Sequence, residues 1–493
     1  MKDLADWLGY RVPEGFHDGC LNASGPVREH YRRFLEHLER RGPEGVARLH
    51  KDAEISLLNQ GITFTVYSDS SGTERIFPFD LVPRLISARE WVAVEEGIAQ
   101  RLRAINFFLD DIYGAQRILQ EGIVPTDLVV NSTFFCREMH GIRQPGDVWV
   151  HVAGIDLIQD ETGRFVVLED NLRVPSGVSY VLENRRITSR IMPELLLGTG
   201  VHSVDHYPQL LLSALRSLAP SDSPTIAVLT PGVYNSAYFE HSFLAAEMGV
   251  ELVEGQDLVV SQDVLYMKTT EGLRPVDVLY RRVDDTFIDP LVFRPDSVLG
   301  VPGLMHAYRA GSVVLANAPG TGVVDDKAMY AYLPRVIRYY LDEEPLLPQV
   351  PTFLCRDPED RAYVVDHLEE LVLKPTDGSG GYGVLVGPRA SRQEREEALA
   401  AMLERPENFV AQPMQRLATL PVWLPEGREA GSPGLEARHV DLRPFAVTGA
   451  DGVTSLLPGG LTRVALRRGS LIVNSSQGGG SKDTWVFEEG EDA

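Results

Sequence analysis

The chain has 493 residues, enough for roughly three domains of about 150 residues each. Its 44% hydrophobic and 24% charged content is ordinary for a folded chain with ample core. Lys and Arg number 47 against 70 Asp and Glu, and the net charge of −23 excludes nucleic acid and membrane surfaces as expected partners. One small anion can still bind where basic side chains converge. Cys20, Cys136 and Cys355 are too scattered for a disulfide framework or a zinc site. No run approaches the roughly 18 apolar residues of a membrane span, and Met1-Lys2-Asp3-Leu4 does not read as a secretory leader, so the expected location is the cytoplasm.

Residues 1–125 are mostly helical in pattern, with apolar residues at helical spacing in 28–41 and 91–119 and a strand predicted at 61–67. From Leu128 the texture turns to strands, at 148–152, 155–159 and 165–169. A polar linker at 217–223 precedes strand, helix and strand over 225–230, 236–248 and 250–253, which is one βαβ unit. The run 424–437, rich in Gly, Pro and Glu, is expected to be a surface loop.

The segment 154–171 carries the sharpest chemistry. With Thr162-Gly163 as turn centre, paired positions sum to 325, and Asp156 faces Glu169 across a hairpin. Directly opposed side chains stand about 5 Å apart at Cβ, where two like charges are destabilising, so a cation should lie between them. Without metal, at least one of the two should titrate above the usual carboxylate range. Asn171 shares the face of Glu169 by period-2 alternation, and Asp170 points the other way, where a structural role is expected. Two carboxylates and an amide oxygen suit Mg²⁺ completed by phosphate oxygens and water. The alternative is a solvated hairpin whose acids are accidental. The following Arg173-Val174-Pro175-Ser176-Gly177-Val178 is a turn into a predicted helix, able to receive an anion on its N–H groups or to be plain turn chemistry.

Further on, the strand 371–375 carries Lys374 and leads into Asp377-Gly378-Ser379-Gly380-Gly381-Tyr382-Gly383. This is not a P-loop, which needs Gly-Lys-Ser/Thr opening a helix. Its glycines let backbone amides approach a phosphate that Lys374 can neutralise, unless the loop is a glycine-rich hairpin without function. The short strand ending in Gln412-Pro413 can present backbone groups to an adenine edge. His439, Asp441 and Arg443 alternate onto one face, Arg463 lies between that strand and a second glycine loop, and this loop runs from Asn474 to Lys482. Taken singly, each basic residue reads as a surface ion pair.

Together these residues resemble the ATP-grasp superfamily. Asp156, then Glu169-Asp170-Asn171 with Pro175, match its metal-binding strands, and Lys374 before Gly378–Gly383 matches its nucleotide-binding lysine and loop. Asp326-Lys327 matches an earlier lysine, Asp441-Leu442-Arg443 an Asp-x-Arg strand, and Arg463 a basic residue near the γ-phosphate. The metal hairpin comes too early for an ordinary member, and a circular permutation accounts for the order. The chain is similar to the circularly permuted ATP-grasp type 2 family through residues 167–180 and 230–241, with a coverage of about 60–487, and more distantly to the ATP-grasp half of glutathionylspermidine synthase.

The resemblance implies an α/β (α+β) circularly permuted ATP-grasp fold with these parts: a helical region 1–125, a metal-binding part 126–215, a pre-ATP-grasp-like βαβ domain 216–311, a nucleotide-binding part 312–487 and a tail 488–493. It implies a carboxylate–amine ligase acting through an acyl phosphate. ATP would bind Lys327, Lys374, Gly378, Ser379, Gly380, Gly381, Gln412 and Asp441. Asp156, Glu169 and Asn171 would hold Mg²⁺, as two ions, and Lys374, Arg443 and Arg463 would be the catalytic cations. Substrate contacts would come from Arg173, Ser176, Arg281, Arg282, Asn474 and Lys482, with Arg281 or Arg282 facing the cleft unless the pair is merely a charged strand end. Expected partners are a small-molecule or peptide carboxylate and amine, together with alpha-E, transglutaminase-like or proteasome-like proteins. A phosphotransferase without ligation and a non-catalytic nucleotide-binding subunit are the alternatives.

Overall fold

The computed structural model describes residues 10–22, 25–65, 74–197, 200–378, 383–425, 433–466, 470, 473 and 479–488. The long helix Ala88–Tyr113 starts on a capping box in which the Ser87 and Glu90 side chains each accept from the other's backbone N–H. Trp91, Val94, Ile98, Leu102, Ile105, Leu109 and Ile112 recur at three- and four-residue spacing and are buried, so one face of this helix is core. The helix Glu29–Asn59 is broken at Gly42, whose φ of 67° a side chain would resist.

A nine-stranded sheet carries the permutation. Along it the order is Thr454–Leu456, Phe445–Thr448, Val152–Gln159, Gly434–Arg443, Leu461–Val464, Gly480–Phe487 and Phe79–Ser87, with Phe165–Asn171 paired to Val152–Gln159 and Thr419–Leu424 to Gly434–Arg443. A strand from the first third of the chain therefore lies between two from the last fifth, with Phe445 opposite Gly154 and Leu442 opposite Leu157. Gly480–Phe487 runs parallel to Phe79–Ser87. This buried nine-residue strand went unread in the sequence because its apolar positions do not alternate with polar ones; it is covered on both faces.

A second, parallel sheet of Val314–Ala316, Val278–Arg281, Ile226–Leu229 and Glu251–Val253 contains the expected βαβ unit, with the helix Tyr238–Met248 as crossover. A third, antiparallel sheet joins Phe353–Leu354, Phe409–Pro413, Leu371–Pro375 and Leu385–Val386. It has its own small core around Cys355, Val364, Leu368, Leu371, Leu373, Met402 and Ala411.

Two expectations change. Residues 148–151 are not a strand: the N–H groups of Trp149 and Val150 donate to Asn106 Oδ1, and those of His151 and Val152 to Asn317 Oδ1. Side-chain amides satisfy this backbone in place of a ladder. The expected loop 424–437 is part strand, since Gly434–Arg443 pairs back onto Thr419–Leu424. Among the described residues no helix is long and apolar enough to cross a membrane.

Candidate functional site

Asp156 stands opposite Glu169 on antiparallel strands, and Asn171 opposite Gly154. The register that achieves this differs from the simple hairpin. Between the turn and Leu157 the partners are Gln159–Phe165, Ile158–Val166 and Leu157–Val167, one residue short of the expected pairing. Leu168 is the extra residue of a bulge, and only beyond it does Asp156 meet Glu169. The turn alone would have set Asp156 against Leu168.

Cations do converge on this hairpin, and they come from two sides. Arg443 Nε and Nη2 donate to Asp156 Oδ1 and Oδ2 at 2.5 and 2.9 Å, and Arg463 Nη2 reaches Oδ2 at 2.8 Å. Arg463 also grips Asp441, its cross-strand partner, with Nε at 2.8 Å from Oδ1. Burial pushes the Asp156 carboxyl up, but the two guanidiniums outweigh it and hold it down to about 2. The expectation that at least one of the two opposed carboxyls titrates high does not hold at Asp156, because arginine and not a shared proton relieves its charge. Burial raises the Asp441 carboxyl against the pull of Arg463, with the neighbouring Asp156 adding to the rise.

On the other side, Asp326 caps the helix Lys327–Tyr330 by accepting from the Ala328 N–H. The Lys327 N–H is tied to the Thr376 carbonyl at 3.0 Å, which docks this turn against the strand of Lys374. Lys327 Nζ lies 3.4 Å from Glu169 Oε1 and donates to the Gly378 carbonyl. Lys374 Nζ donates to Gln412 Oε1 at 2.7 Å, and Gln412 is steadied by Thr352 at 2.9 Å. Glu169, Asp325, Lys327, Tyr330, Lys374 and Gln412 line one pocket, so residues from four separate stretches of sequence meet there.

Burial lowers the Lys374 ammonium to about 8, with Glu169 opposing and Lys327 adding to the fall. The unfolded chain keeps that proton up to about 10.4, so it binds more protons than the native state between these values. Stability should therefore rise with pH from about 8 to about 10.4, with a slope of at most about 1.4 kcal/mol per pH unit for one group. Urea denaturation at pH 7.5, 9 and 10 is expected to show this rise, and Lys374→Met to flatten it; equal slopes in both proteins would refute it.

For a divalent cation the donors fit in part. Among the described residues no three His, Cys, Asp or Glu side chains cluster as a metal site. Magnesium, however, is commonly held by one or two carboxylates with substrate phosphates. Glu169 lines the pocket, and the Asn171 Nδ2 is buried without a partner, a donor that suits an acceptor such as a phosphate oxygen, while a cation would take the Oδ1 of the same amide. Asp156 already accepts three hydrogen bonds and keeps about one of its four acceptor sites free.

Other sequence-predicted residues are placed elsewhere. Arg281 does not face the pocket: it is fully buried and spent on the carbonyls of Asn317, Val283 and Ala318 and on Asp285. Arg282 is likewise interior, bound to Tyr280 and Glu240. Lys482 is corrected in the same sense, its ammonium buried against Asp80 and the carbonyls of Val82 and Pro421. A charged residue at a strand end or beside a glycine loop looks exposed in sequence, and these three are covered by neighbouring layers. Arg173 is neutralised by Asp284 at 2.7 Å and Asp325 at 3.1 Å, so it offers no free charge to a carboxylate. The carbonyl of Ser176 accepts from Arg443 at 3.3 Å. Ser379, Gly380, Gly381 and Asn474 lie outside the described residues.

Three participants were not foreseen. Asp325 accepts from the Leu172 N–H and from Arg173, and burial raises its carboxyl to about 7 against the pull of Arg173. Arg101 binds Asp170 through both nitrogens, at 2.7 and 2.6 Å, beneath the hairpin. Glu240 accepts from the N–H groups of Gly177 and Ser179 and fixes the turn after the hairpin. Glu240 sits in the motif 230–241, and the adjacency of Asp325 to Asp326-Lys327 was a usable signal; Arg101 gave none.

A family model described as circularly permuted ATP-grasp type 2 matches residues 83–465. An uncharacterized protein of Synechocystis is 53% identical over 97% of this chain and 98% of its own length. One of Mycobacterium tuberculosis is 53% identical over 95% of this chain and 84% of its own length. A Frankia alni protein named a putative glutamate–cysteine ligase is 44% identical over 98% of this chain, which spans 55% of that longer protein. In fold, the chain is similar to a glutathione synthetase-like effector of Globodera pallida, with a TM-score of 0.60, 13% identity and coverage of 90% and 97% of the two chains.

Proposed function

Because the chain belongs to the circularly permuted ATP-grasp type 2 family, we propose that it is an ATP-dependent ligase joining a carboxylate to an amine. The observation that carries the reading is the convergence of Lys327, Lys374 and Glu169 on one pocket beside the Asp156–Arg443–Arg463 cluster. Two ammonium groups there receive ATP phosphates as point charges, and Gln412 holds Lys374 in place. Glu169 and Asn171, with the remaining acceptor site of Asp156, would hold Mg²⁺, which when bound neutralises charge on the transferring phosphoryl group.

Arg443 and Arg463 are positioned by Asp156 and Asp441 and stabilise the charge that develops as the phosphoryl group moves. The substrate carboxylate takes the γ-phosphoryl group of ATP and releases ADP, and the amine nitrogen then displaces phosphate. No nucleophilic side chain is needed, in keeping with three buried cysteines. The name borne by the Frankia relative supports a ligase of amino-acid-sized substrates.

The test is ATP turnover with magnesium and a panel of carboxylates and amines. ADP formation that requires both is the expected result. ADP formed with a carboxylate or alcohol alone, with a stable phosphorylated product, would replace ligation by phosphotransfer. No turnover with any pair would sink the catalytic reading.

A further inference from the structure

A second cavity, of about 290 Å³, lies beyond Arg173 and is lined by residues 133–138, Asp284–Thr286 and Phe293. We propose that it binds a free α-amino acid with an apolar side chain, the amine substrate of the ligation. That role rests on the ligase reading; the binding does not.

The two pockets share one chain of ion pairs. Asp325, in the wall of the first, holds Arg173 Nε at 3.1 Å, and Arg173 Nη1 holds Asp284 of the second at 2.7 Å. Arg173 also lies over the Phe134 ring, 4.3 Å from its centroid. An amine bound in the second cavity therefore lies one side chain away from the first.

The charges of the cavity select the ligand. Arg173 is matched by Asp284, and Asp285 by Arg281 at 2.6 Å and the Gly320 N–H at 2.8 Å. What remains is one guanidinium and one carboxylate, Arg137 and Glu138, neither in an ion pair among the described residues. One unpaired base and one unpaired acid on the same wall complement the carboxylate and ammonium of a single zwitterion. Phe134, Phe135 and Phe293 supply an apolar surface for its side chain. Cys136 also lines the cavity, but burial and the neighbouring Asp285 push its thiol well up, so it is not a nucleophile.

In the ligation the bound ammonium gives up two protons, one leaving with phosphate and one to solvent. The nitrogen lone pair forms the C–N bond of the amide, and the C–O bond to phosphate breaks with its electron pair.

Binding is measured by calorimetry without nucleotide, using L-phenylalanine, L-leucine, 3-phenylpropanoate and 2-phenylethylamine. L-Phenylalanine or L-leucine should bind, and each single-charge probe about tenfold more weakly. Glu138→Gln should erase the preference over the carboxylate probe, and Arg137→Gln the preference over the amine probe. Both residues sit on a short turn at the rim, so the variants should fold. Absence of amino-acid binding, or binding unaltered in both variants, overturns the subsite. Binding as expected with no amine-dependent turnover keeps the subsite and defeats the ligase reading. Amine-dependent turnover with an unchanged amine KM in both variants does the reverse.

Discussion

Glu169→Gln should lower ATP-dependent turnover by about 10²-fold at saturating magnesium, the scale on which one preorganised charge partner registers in a low-dielectric site. The amide keeps the shape of the side chain and removes a charge that faces Lys327 at 3.4 Å and acts on Lys374. Two consequences follow and they point in opposite directions. A bound Mg²⁺ would lose an accessible anionic partner at Glu169, so the chemical step should slow. The two lysines lose their counter-charge, so the pocket becomes more attractive to a nucleotide polyanion and the KM for ATP should hold or fall. A drop in kcat with no rise in KM separates this residue from one that merely binds ATP. Glu169 is partly exposed and bonded to nothing structural, so the melting temperature should stay within a few degrees. Near-normal turnover in the variant would remove Glu169 from the site.

Much of this arrangement was legible in the sequence, and what was not has physical reasons. The pairing of Asp156 with Glu169 was expected from a turn and a period of two. It was right only because a bulge at Leu168 cancels a one-residue error in where the turn lies, and nothing in the local composition announces a bulge. The alternation of Asp441 and Arg443 was visible, but not that Arg443 reaches Asp156, since that contact spans 287 positions. Arg281, Arg282 and Lys482 failed for a common reason: a sequence shows charge, and burial depends on layers packed from elsewhere. Each of these groups is interior and held by carbonyls or acids that only the tertiary fold supplies, although the Arg282 Nε stays without a partner. The nine-stranded sheet makes the same point at larger scale, because Val152–Gln159 finds its neighbours almost three hundred residues away.

The neighbour of Glu169 gives the strongest stability prediction. Asp170 points to the opposite face, fully buried, and accepts both arms of the Arg101 guanidinium at 2.7 and 2.6 Å. Arg101 is held further by Gln349 at 3.0 Å and lies over the Tyr330 ring. Breaking a buried pair by removing one charge strands the other, at a cost of about 3–5 kcal/mol. Asp170→Asn should therefore lose stability on that scale in urea denaturation, while the turnover of the molecules that remain folded changes far less than in Glu169→Gln. The double change Asp170→Asn with Arg101→Met should recover part of the loss, because no unpaired charge stays buried. Two adjacent residues on opposite faces of one strand then give opposite readouts, activity without stability at 169 and stability without activity at 170. If Asp170→Asn leaves stability within about 1 kcal/mol, or damages turnover more than Glu169→Gln does, the hairpin faces are reversed and the site built on them falls.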